Sequence, residues 1–212
     1  MTKRISTALF VLAALAAATA VFAQSPKGWM VRSDHSMEAS DPDAAGAVKF
    51  VTMGAGFHAT NPMAAIFWNP ANTASGDYTL KGKFSLIKAG GYNEYYGLIF
   101  AGSDLNAAGQ NYVYFMVTDD GTYLIKRRAG ASAQGVSQKS PSDAVKKPDS
   151  TGKCTNELEV RVKGDKVDFV INGTVVTSMP KSGALAKTDG IYGIRVNHQL
   201  EVQIDNFGVS KM

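Results

Sequence analysis

Aromatic and hydrogen-bonding side chains recur at a spacing of two residues, a pattern that could bind a sugar. Tyr112 is followed by Tyr114, and Arg195 is followed by Asn197. Alternate residues of a β-strand point to the same side of a sheet, so each pair would project from one face. Aromatic rings can stack on the apolar C–H face of a sugar, while guanidinium and amide groups hydrogen-bond its hydroxyls.

The same spacing predicts that these side chains share the concave face of a sheet. If Val113, Phe115 and Val117 form the core face of their strand, the intervening tyrosines point to the opposite face. The alternative is that the tyrosines only fill space inside the protein, because tyrosine is favoured in strands. The full set of candidate ligand-binding residues is Trp68, Tyr95, Tyr112, Tyr114, Arg127, Arg195, Asn197 and His198.

Residue types that could act as nucleophiles or metal ligands lack supporting partners in the sequence. The chain has no Gly-x-Ser-x-Gly segment, the local signature of one class of serine hydrolases. His35, His58 and His198 are far apart in the sequence. The segment from Asp34 to Glu38 could hold a metal, but no second histidine cluster supports that role. A polar N-terminal loop is therefore the favoured interpretation of this segment.

Short strands joined by tight turns must position the candidate residues. Residues 78–86 alternate apolar and polar side chains, as a half-buried strand does. Asp120-Gly121 and Asn172-Gly173 each lie between two such runs, where glycine supplies the positive φ that tight hairpins need. About a dozen strands and no helix of three turns predict an all-β, two-sheet antiparallel sandwich.

Two segments are expected to lie outside the strands. A short strand over residues 64–68 is expected to end in a turn over residues 70–76, which contain Pro70. Residues 130–153 are expected to form one long loop, because they contain Pro141, Pro148 and five serines. Long loops in small domains are often functional or disordered.

The first 23 residues predict a secretory signal peptide. Lys3 and Arg4 precede an apolar run over residues 8–22, and Val21 and Ala23 fit the two positions that a signal peptidase reads. The run is shorter than the roughly 20 residues that span a bilayer, and no later segment is apolar enough to do so. We therefore expect one exported β-sandwich domain over residues 24–212, in the periplasm or outside the cell.

The net charge and the cysteine content limit the kinds of partner that the chain is expected to bind. The formal net charge of +4 falls to +2 when Lys3 and Arg4 are removed with the signal peptide. This excess is too small to indicate nucleic acid or an anionic membrane as a partner. Cys154 is the only cysteine, so no intramolecular disulfide can form. Burial is the favoured interpretation of Cys154, with pairing to a second chain as the alternative, and the oligomeric state stays open.

The strand and turn motifs occur in an order that resembles a known superfamily. The motifs are Asn111-Tyr-Val-Tyr-Phe-Met-Val, Asp120-Gly-Thr-Tyr-Leu-Ile, Asn156-Glu-Leu-Glu-Val, Val167-Asp-Phe-Val-Ile-Asn-Gly, Gly190-Ile-Tyr-Gly-Ile and Asp205-Asn-Phe. Together they resemble the concanavalin A-like lectin/glucanase jelly rolls. Over most of residues 45–210 the chain is similar to secreted bacterial members of the 3-keto-disaccharide hydrolase domain group. Turn and core residues carry this resemblance, so it implies a fold rather than an activity.

The resemblance allows a test for catalytic carboxylates. Glucanases of this superfamily carry a Glu-x-Asp-x-x-Glu strand, which places acid and nucleophile on one face. None of the five glutamates falls in that pattern, and Glu157 and Glu159 alternate with Arg161 and Lys163 as on a solvated face. A catalytic role is therefore not expected. The enzyme alternative would place Glu94 or Asp104 in the groove, beside Arg127 or His198.

Related jelly rolls often bind a structural Ca²⁺, and this chain has three aspartates that could supply oxygen ligands. They are Asp104, Asp119 and Asp205. The sequence contains no calcium-loop motif, and no other cofactor is expected.

These observations favour a secreted, non-catalytic module that binds a glycan or another extracellular ligand on its concave sheet. The alternatives are a sugar-cleaving hydrolase and a structural protein of the cell envelope. A binding module should expose aromatic rings in a groove, and an enzyme should place carboxylates among them. A structural protein should show neither feature and should carry an exposed apolar patch elsewhere.

We expect export to remove residues 1–23. Expression of the whole chain in a Gram-negative host, followed by N-terminal sequencing of the periplasmic fraction, should give a protein that begins at Gln24. A membrane-bound product that retains Met1 would contradict this expectation, because it would show that the apolar run anchors the protein.

Overall fold

The computed structural model describes residues 25–35, 43–91 and 93–212, and these residues form two antiparallel β-sheets packed face to face. The predicted signal peptide and the segment that follows His35 lie outside the described residues. The predicted all-β, two-sheet antiparallel jelly-roll sandwich is confirmed. It has fifteen strands in the described residues, more than the dozen expected.

Eight of the strands form the first sheet, called sheet A. They are β1 (Met30–Asp34), β4 (Ala64–Ala74), β6 (Tyr95–Ser103), β7 (Asn111–Thr118), β8 (Thr122–Ala129), β9 (Ser132–Gly135), β10 (Ser140–Pro141) and β14 (Gly190–Val196). Their spatial order is β1–β4–β14–β6–β7–β8–β10, and β9 also pairs with β8. The candidate residues of β4, β7 and β14 therefore lie on neighbouring parts of one sheet.

The other seven strands form the second sheet, called sheet B. They are β2 (Lys49–Met53), β3 (Gly56–Asn61), β5 (Tyr78–Lys88), β11 (Cys154–Lys163), β12 (Lys166–Ile171), β13 (Thr174–Pro180) and β15 (Leu200–Lys211). Their spatial order is β13–β12–β11–β5–β15–β3–β2. A one-turn 3₁₀ helix, Gly183–Leu185, connects β13 to β14. Within the described ranges, no helix combines the length and the apolar character that crossing a bilayer requires.

The main hydrophobic core lies between the two sheets, where alternate residues of each strand point inward. Val113, Phe115 and Val117 of β7 are fully buried there, as predicted. They face sheet B, and the rings of Phe115 and Phe169 lie 5.2 Å apart, edge to face. Such ring pairs add about 0.5–1.5 kcal/mol beyond the burial of their apolar area. The two sheets are therefore held together by tight packing of their inner faces.

Sheet A is also buried on its outer face, which is unusual for an antiparallel sheet. Residues 112–118 of β7 are buried without exception, so burial does not alternate along the strand. The outer-face side chains form a second apolar cluster of Ile66, Trp68, Ile99, Leu105, Tyr112, Tyr114, Met116 and Leu124. Covering this cluster requires polar groups and loops that lie over the sheet.

The outer face of sheet B is charged and open to solvent. Lys81 contacts Glu157 at 2.8 Å, and Arg161 contacts Glu159 at 2.7 Å. The two glutamates therefore belong to ion pairs on a solvated face, in agreement with their spacing in the sequence. The more exposed pair, Lys81 with Glu157, contributes about 0–1 kcal/mol, whereas the Glu159 side chain is only 10% exposed. The outer face of sheet A is thus the stronger candidate for a binding site.

The segment over residues 70–76, expected as a turn, instead continues β4 to Ala74. The register between β14 and β4 shifts between the pairs Gly193–Trp68 and Ile191–Thr73, so Pro70 lies in an irregular stretch without ladder partners. Proline is tolerated there because no hydrogen bond from its nitrogen is needed. The residues that predicted a turn therefore form an irregular stretch, or bulge, within a strand.

Residues 130–153 were expected to form one long loop, but they contain two short strands. The short strands β9 and β10 pair with β8. Beyond them, the Asn156 side chain accepts from the Lys146 N–H (2.8 Å) and donates to the Lys146 carbonyl (3.0 Å). Asn172 donates to the Ala144 carbonyl at 2.8 Å, and Val145 is buried in the core. Two amide side chains, the buried Asn156 of β11 and the half-buried Asn172 of the β12–β13 turn, therefore hold this segment in place.

We expect Asn156→Ala to loosen residues 142–153. The substitution leaves the backbone groups of Lys146 without their partners, which costs roughly 1–3 kcal/mol. Limited trypsin digestion should then cut after Lys146 or Lys153 faster than in the unchanged protein. Asn106→Ala, at an exposed asparagine, is the matched control. Equal cleavage rates in both variants would show that Asn156 does not hold the segment.

Candidate functional site

The outer face of sheet A is strongly concave. Asp34 lies on β1 and Arg128 lies on β8, five strands away in the sheet order. A flat sheet would separate these strands by about 24 Å, at 4.7–4.9 Å for each step. Instead, the Asp34 Oδ1 and Arg128 Nη2 atoms lie 3.9 Å apart. The sheet therefore bends until side chains from distant strands meet across its outer face.

Three candidate aromatic residues line the floor of this concave face, but they are covered. Trp68 is 2% exposed, Tyr112 is 0% exposed and Tyr114 is 7% exposed. Leu105, from the loop between β6 and β7, packs into their cluster. The Arg195 guanidinium lies 5.4 Å from the centre of the Tyr114 ring. The rings lie on the predicted face, but they do not form the open stacking surface that the sequence suggested.

An ionic group covers the aromatic floor. It consists of Arg32, Arg128 and Arg195 around Asp34, and we call it the arginine cluster. Arg195 Nη1 donates to Asp34 Oδ2 at 2.8 Å and to the Tyr112 hydroxyl at 2.9 Å. Burial raises the pKa of Tyr112, so its neutral hydroxyl can accept this bond. Arg195 is therefore fixed between the first strand of the sheet and its aromatic floor.

The other two arginines lie farther from Asp34. Arg32 Nε and Arg128 Nη2 each lie 3.9 Å from Asp34 Oδ1, beyond hydrogen-bonding distance. Arg32 donates to the Ala107 carbonyl at 2.6 Å, and Arg128 donates to the Gly130 carbonyl at 2.8 Å. Burial alone would raise the pKa of Asp34, but the three guanidinium groups outweigh it and hold that pKa below its usual value. Asp34 is therefore ionised at neutral pH.

An open cleft adjoins this covered region. It has a volume of about 500 Å³ and lies on the same face of sheet A. Its lining consists of Tyr95, Leu124, Lys126, Gly135, Val136, Ser137, Gln138 and Lys139. Tyr95 is half-buried, and Lys139 Nζ lies 5.8 Å from the centre of its ring. The cleft combines one accessible ring with amine, amide and hydroxyl groups, as a sugar site requires.

Sequence analysis did not identify most of the residues that line the cleft. Lys126 pairs in register with Tyr114, and it points to the same face. The alternation that placed Tyr114 outward could therefore have found Lys126. Residues 135–139 carried no such signal, because they lie in the segment that was interpreted as a loop.

His198 lies at one end of the concave face, in contact with acidic residues. Its Nε2 atom is 3.5 Å from Glu94 Oε1, and its Nδ1 atom is 3.6 Å from Asp43 Oδ1. Asp43 Oδ2 is also 3.0 Å from His35 Nδ1. Glu94 directly precedes Tyr95 in the chain, but neither Glu94 nor His198 lines the open cleft. The enzyme alternative required Glu94 or Asp104 to face the groove beside Arg127 or His198. Glu94 lies beside His198, but it is buried.

The remaining candidates divide between the two faces of sheet A. Asn197 accepts a hydrogen bond from Arg195 Nε at 3.1 Å, and it lies with the arginine cluster as predicted. Arg127 does not join this face. It alternates with Lys126 and Arg128, and its Nη1 atom donates to the Ala184 carbonyl at 2.6 Å on the opposite side. Arg127 therefore anchors the connection between β13 and β14.

The three aspartates considered as calcium ligands do not come together. Asp104 follows β6 and Asp119 follows β7, so in this antiparallel pair they lie at opposite ends of sheet A. Asp205 lies in sheet B, at a bulge within β15. Across the described ranges, no group of three or more histidine, cysteine, aspartate or glutamate side chains is arranged to hold a metal ion.

Cys154 is half-buried, whereas the sequence favoured burial. Its Sγ atom lies 3.5 Å from the Tyr96 hydroxyl. Burial raises the pKa of the thiol, which keeps the less reactive protonated form at neutral pH.

The backbone resembles several solved structures. Carbohydrate-binding module CBM66 from Bacillus subtilis matches with a TM-score of 0.60 and 14% identity, over 87% of this chain and 96% of the module. A Bacillus subtilis protein of unknown function with a galectin-like fold matches with a TM-score of 0.57 and 13% identity, over 87% and 90% of the two chains. Endo-β-1,3-glucanase from Pyrococcus furiosus matches with a TM-score of 0.51 and 11% identity, over 76% and 78%.

These similarities show the fold alone, a two-sheet jelly-roll sandwich, as the sequence motifs predicted. No protein-family model and no curated protein matches the chain. An activity must therefore be argued from the side chains of the concave face.

We expect Asp34→Asn to lower the free energy of unfolding by about 3 kcal/mol at pH 7, because it leaves the buried Arg195 charge uncompensated. The pKa of Asp34 is depressed in the folded state, so its contribution is present above the unfolded pKa of about 3.9. That contribution disappears as the pH falls through the folded-state pKa. Urea unfolding at pH 7, 5 and 3 should therefore show a difference between the two proteins that shrinks at the lowest pH.

The matched control is Asp168→Asn, which removes a carboxylate paired with Lys166 on the outer face of sheet B. This change should cost less than about 1 kcal/mol. Equal effects of the two substitutions at pH 7 would show that Asp34 is no more important than a surface carboxylate.

Proposed function

We propose that residues 24–212 form an exported, non-catalytic module that binds carbohydrate on the concave face of sheet A. The observation that carries the proposal is the open cleft beside Tyr95. Its volume of about 500 Å³ falls within the range of small-molecule sites, roughly 300–1,000 Å³. The ring of Tyr95 offers a stacking surface, and Lys126, Ser137 and Gln138 offer hydrogen bonds to sugar hydroxyls.

The proposed contact surface differs from the one that the sequence suggested. Tyr112 and Tyr114 are too deeply buried to touch a ligand, and they hold the floor of the face in shape. Tyr95 and Lys126 take the role of direct contacts. Arg195 and Asn197 act behind them, because their hydrogen bonds fix the concave face on which the cleft lies.

The fold is consistent with this role. The Bacillus subtilis module that shares it is, by its name, a carbohydrate-binding module, and nearly its whole length corresponds to this chain. That correspondence supports the view that the sandwich can act alone as a binding unit. The identity of 14% is too low to transfer a ligand, so the proposal depends on the cleft itself.

A second candidate function is sugar hydrolysis, as in the 3-keto-disaccharide hydrolase group that the sequence resembles. The contact between Glu94 and His198 at 3.5 Å favours it, because a carboxylate beside a histidine can transfer protons. Glu94 is buried, however, and the described residues that line the cleft include no carboxylate. Glycoside hydrolysis by the common mechanism needs two carboxylates about 5–9.5 Å apart across the substrate. Binding without catalysis is therefore preferred.

A glycan array probed with the mature chain from Gln24 should show selective binding. The double variant Tyr95→Ala/Lys126→Ala removes the ring and the amine of the cleft, and it should bind at least about tenfold more weakly, the equivalent of 1.4 kcal/mol. Tyr192→Ala is the matched control, because Tyr192 is a half-buried tyrosine that packs on the opposite side of sheet A, 5.6 Å from Phe207.

The same experiment separates the candidate functions. Loss of binding in both variants would contradict a site at the cleft. Failure of the folded protein to bind any glycan would contradict carbohydrate binding and favour a structural role in the cell envelope. Release of reducing sugar by the unchanged protein, abolished in Glu94→Gln, would instead support hydrolysis.

A further inference from the structure

We propose that the arginine cluster selects glycans that carry an anionic group, and that Arg32 and Arg128 hold this group. The inference rests on the proposed carbohydrate-binding function and names the class of sugar. It concerns a part of the concave face that the open cleft does not include, and it gives a ligand-binding role to residues that the sequence did not single out.

The cluster contains more positive charge than its own carboxylate can balance. Three guanidinium groups surround Asp34, but only Arg195 is hydrogen-bonded to it. Guanidinium groups stay charged at any physiological pH, and Asp34 supplies one negative charge. Among the described residues, this group therefore keeps an excess of two positive charges in a concave, partly buried place. Positive charge held there attracts anions more strongly than charge on a flat surface.

The charges on the other sheet are arranged differently. On the outer face of sheet B, Lys81 pairs with Glu157, Arg161 with Glu159, and Lys166 with Asp168. The net charge of the mature chain is only +2, so a general basic surface does not explain the cluster. The unbalanced charge is a local feature of the concave face.

Arg32 and Arg128 can be reached by a ligand. Their side chains are 26% and 23% exposed, against 11% for Arg195. Each is oriented by a backbone carbonyl, of Ala107 for Arg32 and of Gly130 for Arg128. A guanidinium group has five N–H donors, so one such bond leaves donors for an incoming acceptor. The two side chains are therefore held in place before a ligand arrives.

The cluster and the cleft lie within reach of one ligand. Arg128 and Lys126 are alternate residues of β8, so they point to the same face about 7 Å apart along the strand. This spacing is comparable to the length of one sugar ring. A glycan that stacks on Tyr95 could thus place a charged substituent of a neighbouring ring against Arg128.

The chemistry of guanidinium defines the substituent. Its planar fork of N–H groups matches two oxygens of a carboxylate or of a sulfate ester, and these charge-assisted bonds are the strong ones. Both groups occur on sugars, as uronic acids and as sulfated sugars. The shared feature is an oxyanion attached to a sugar ring, and the experiment distinguishes its two sources.

Binding of the mature chain should be measured by calorimetry with two matched pairs of polymers. Polygalacturonate and its methyl ester differ in the carboxylate charge, while carrageenan and its desulfated form differ in the sulfate charge. We expect roughly tenfold tighter binding to the charged member of at least one pair, as for one charge-assisted bond. Raising the salt concentration should weaken this preference. The pair of polymers that shows this preference indicates whether the bound oxyanion is a carboxylate or a sulfate ester.

Two double variants remove the same charge from different places. Arg32→Gln/Arg128→Gln changes the cluster but keeps the buried pair of Arg195 with Asp34, so folding should be preserved. Lys83→Gln/Arg161→Gln removes two charges from the outer face of sheet B. Circular dichroism and thermal melting should confirm that both variants fold. The preference for the charged polymer should disappear in the first variant and persist in the second.

Other outcomes would overturn the inference. Equal losses in the two variants would indicate general charge attraction, and an unchanged preference in the first would show that the cluster takes no part. Equal binding of the charged and neutral polymers would reject anion selection while leaving carbohydrate binding intact. Absence of binding to every polymer and every glycan of the array would reject both proposals.

Discussion

The contact between Asp34 and Arg195 connects parts of the chain that are 161 residues apart, and the shape of the concave face depends on it. Asp34 lies on the edge strand β1, and Arg195 lies on β14. The same carboxylate faces Arg128 of β8, across five strands of sheet A. The attraction between Asp34 and Arg195 is strong because both groups are largely removed from water. It holds the bent sheet over its aromatic floor.

This constraint explains why sheet A is buried on both faces. Sheet B covers one face, and the arginine cluster covers the other together with the loop that carries Leu105. Tyr112 and Tyr114 then become part of the interior, and the accessible surface moves toward Tyr95. The ligand would therefore meet a charged rim and one exposed ring, supported by a rigid apolar layer. Such support fixes side chains before binding and reduces the entropy that binding costs.

The sequence was sufficient for the fold class and for the direction of most side chains. Period-two alternation placed Val113 and Phe115 inward and Tyr112 and Tyr114 outward, and the turn motifs indicated a jelly roll. It could not show that the outward tyrosines are covered, because that depends on contacts between strands far apart in the chain. It also missed the strands within residues 130–153, whose pairing with β8 creates one wall of the cleft.

The most direct test of carbohydrate binding at this face is a nuclear magnetic resonance titration of a ¹⁵N-labelled protein of residues 24–212. Amide shifts would be followed while glycans, neutral and anionic, are added. The largest changes should lie at Tyr95, at Lys126 and over residues 135–139. Changes centred on the outer face of sheet B, near Lys81 and Glu157, would contradict a site on sheet A, and so would the absence of any change.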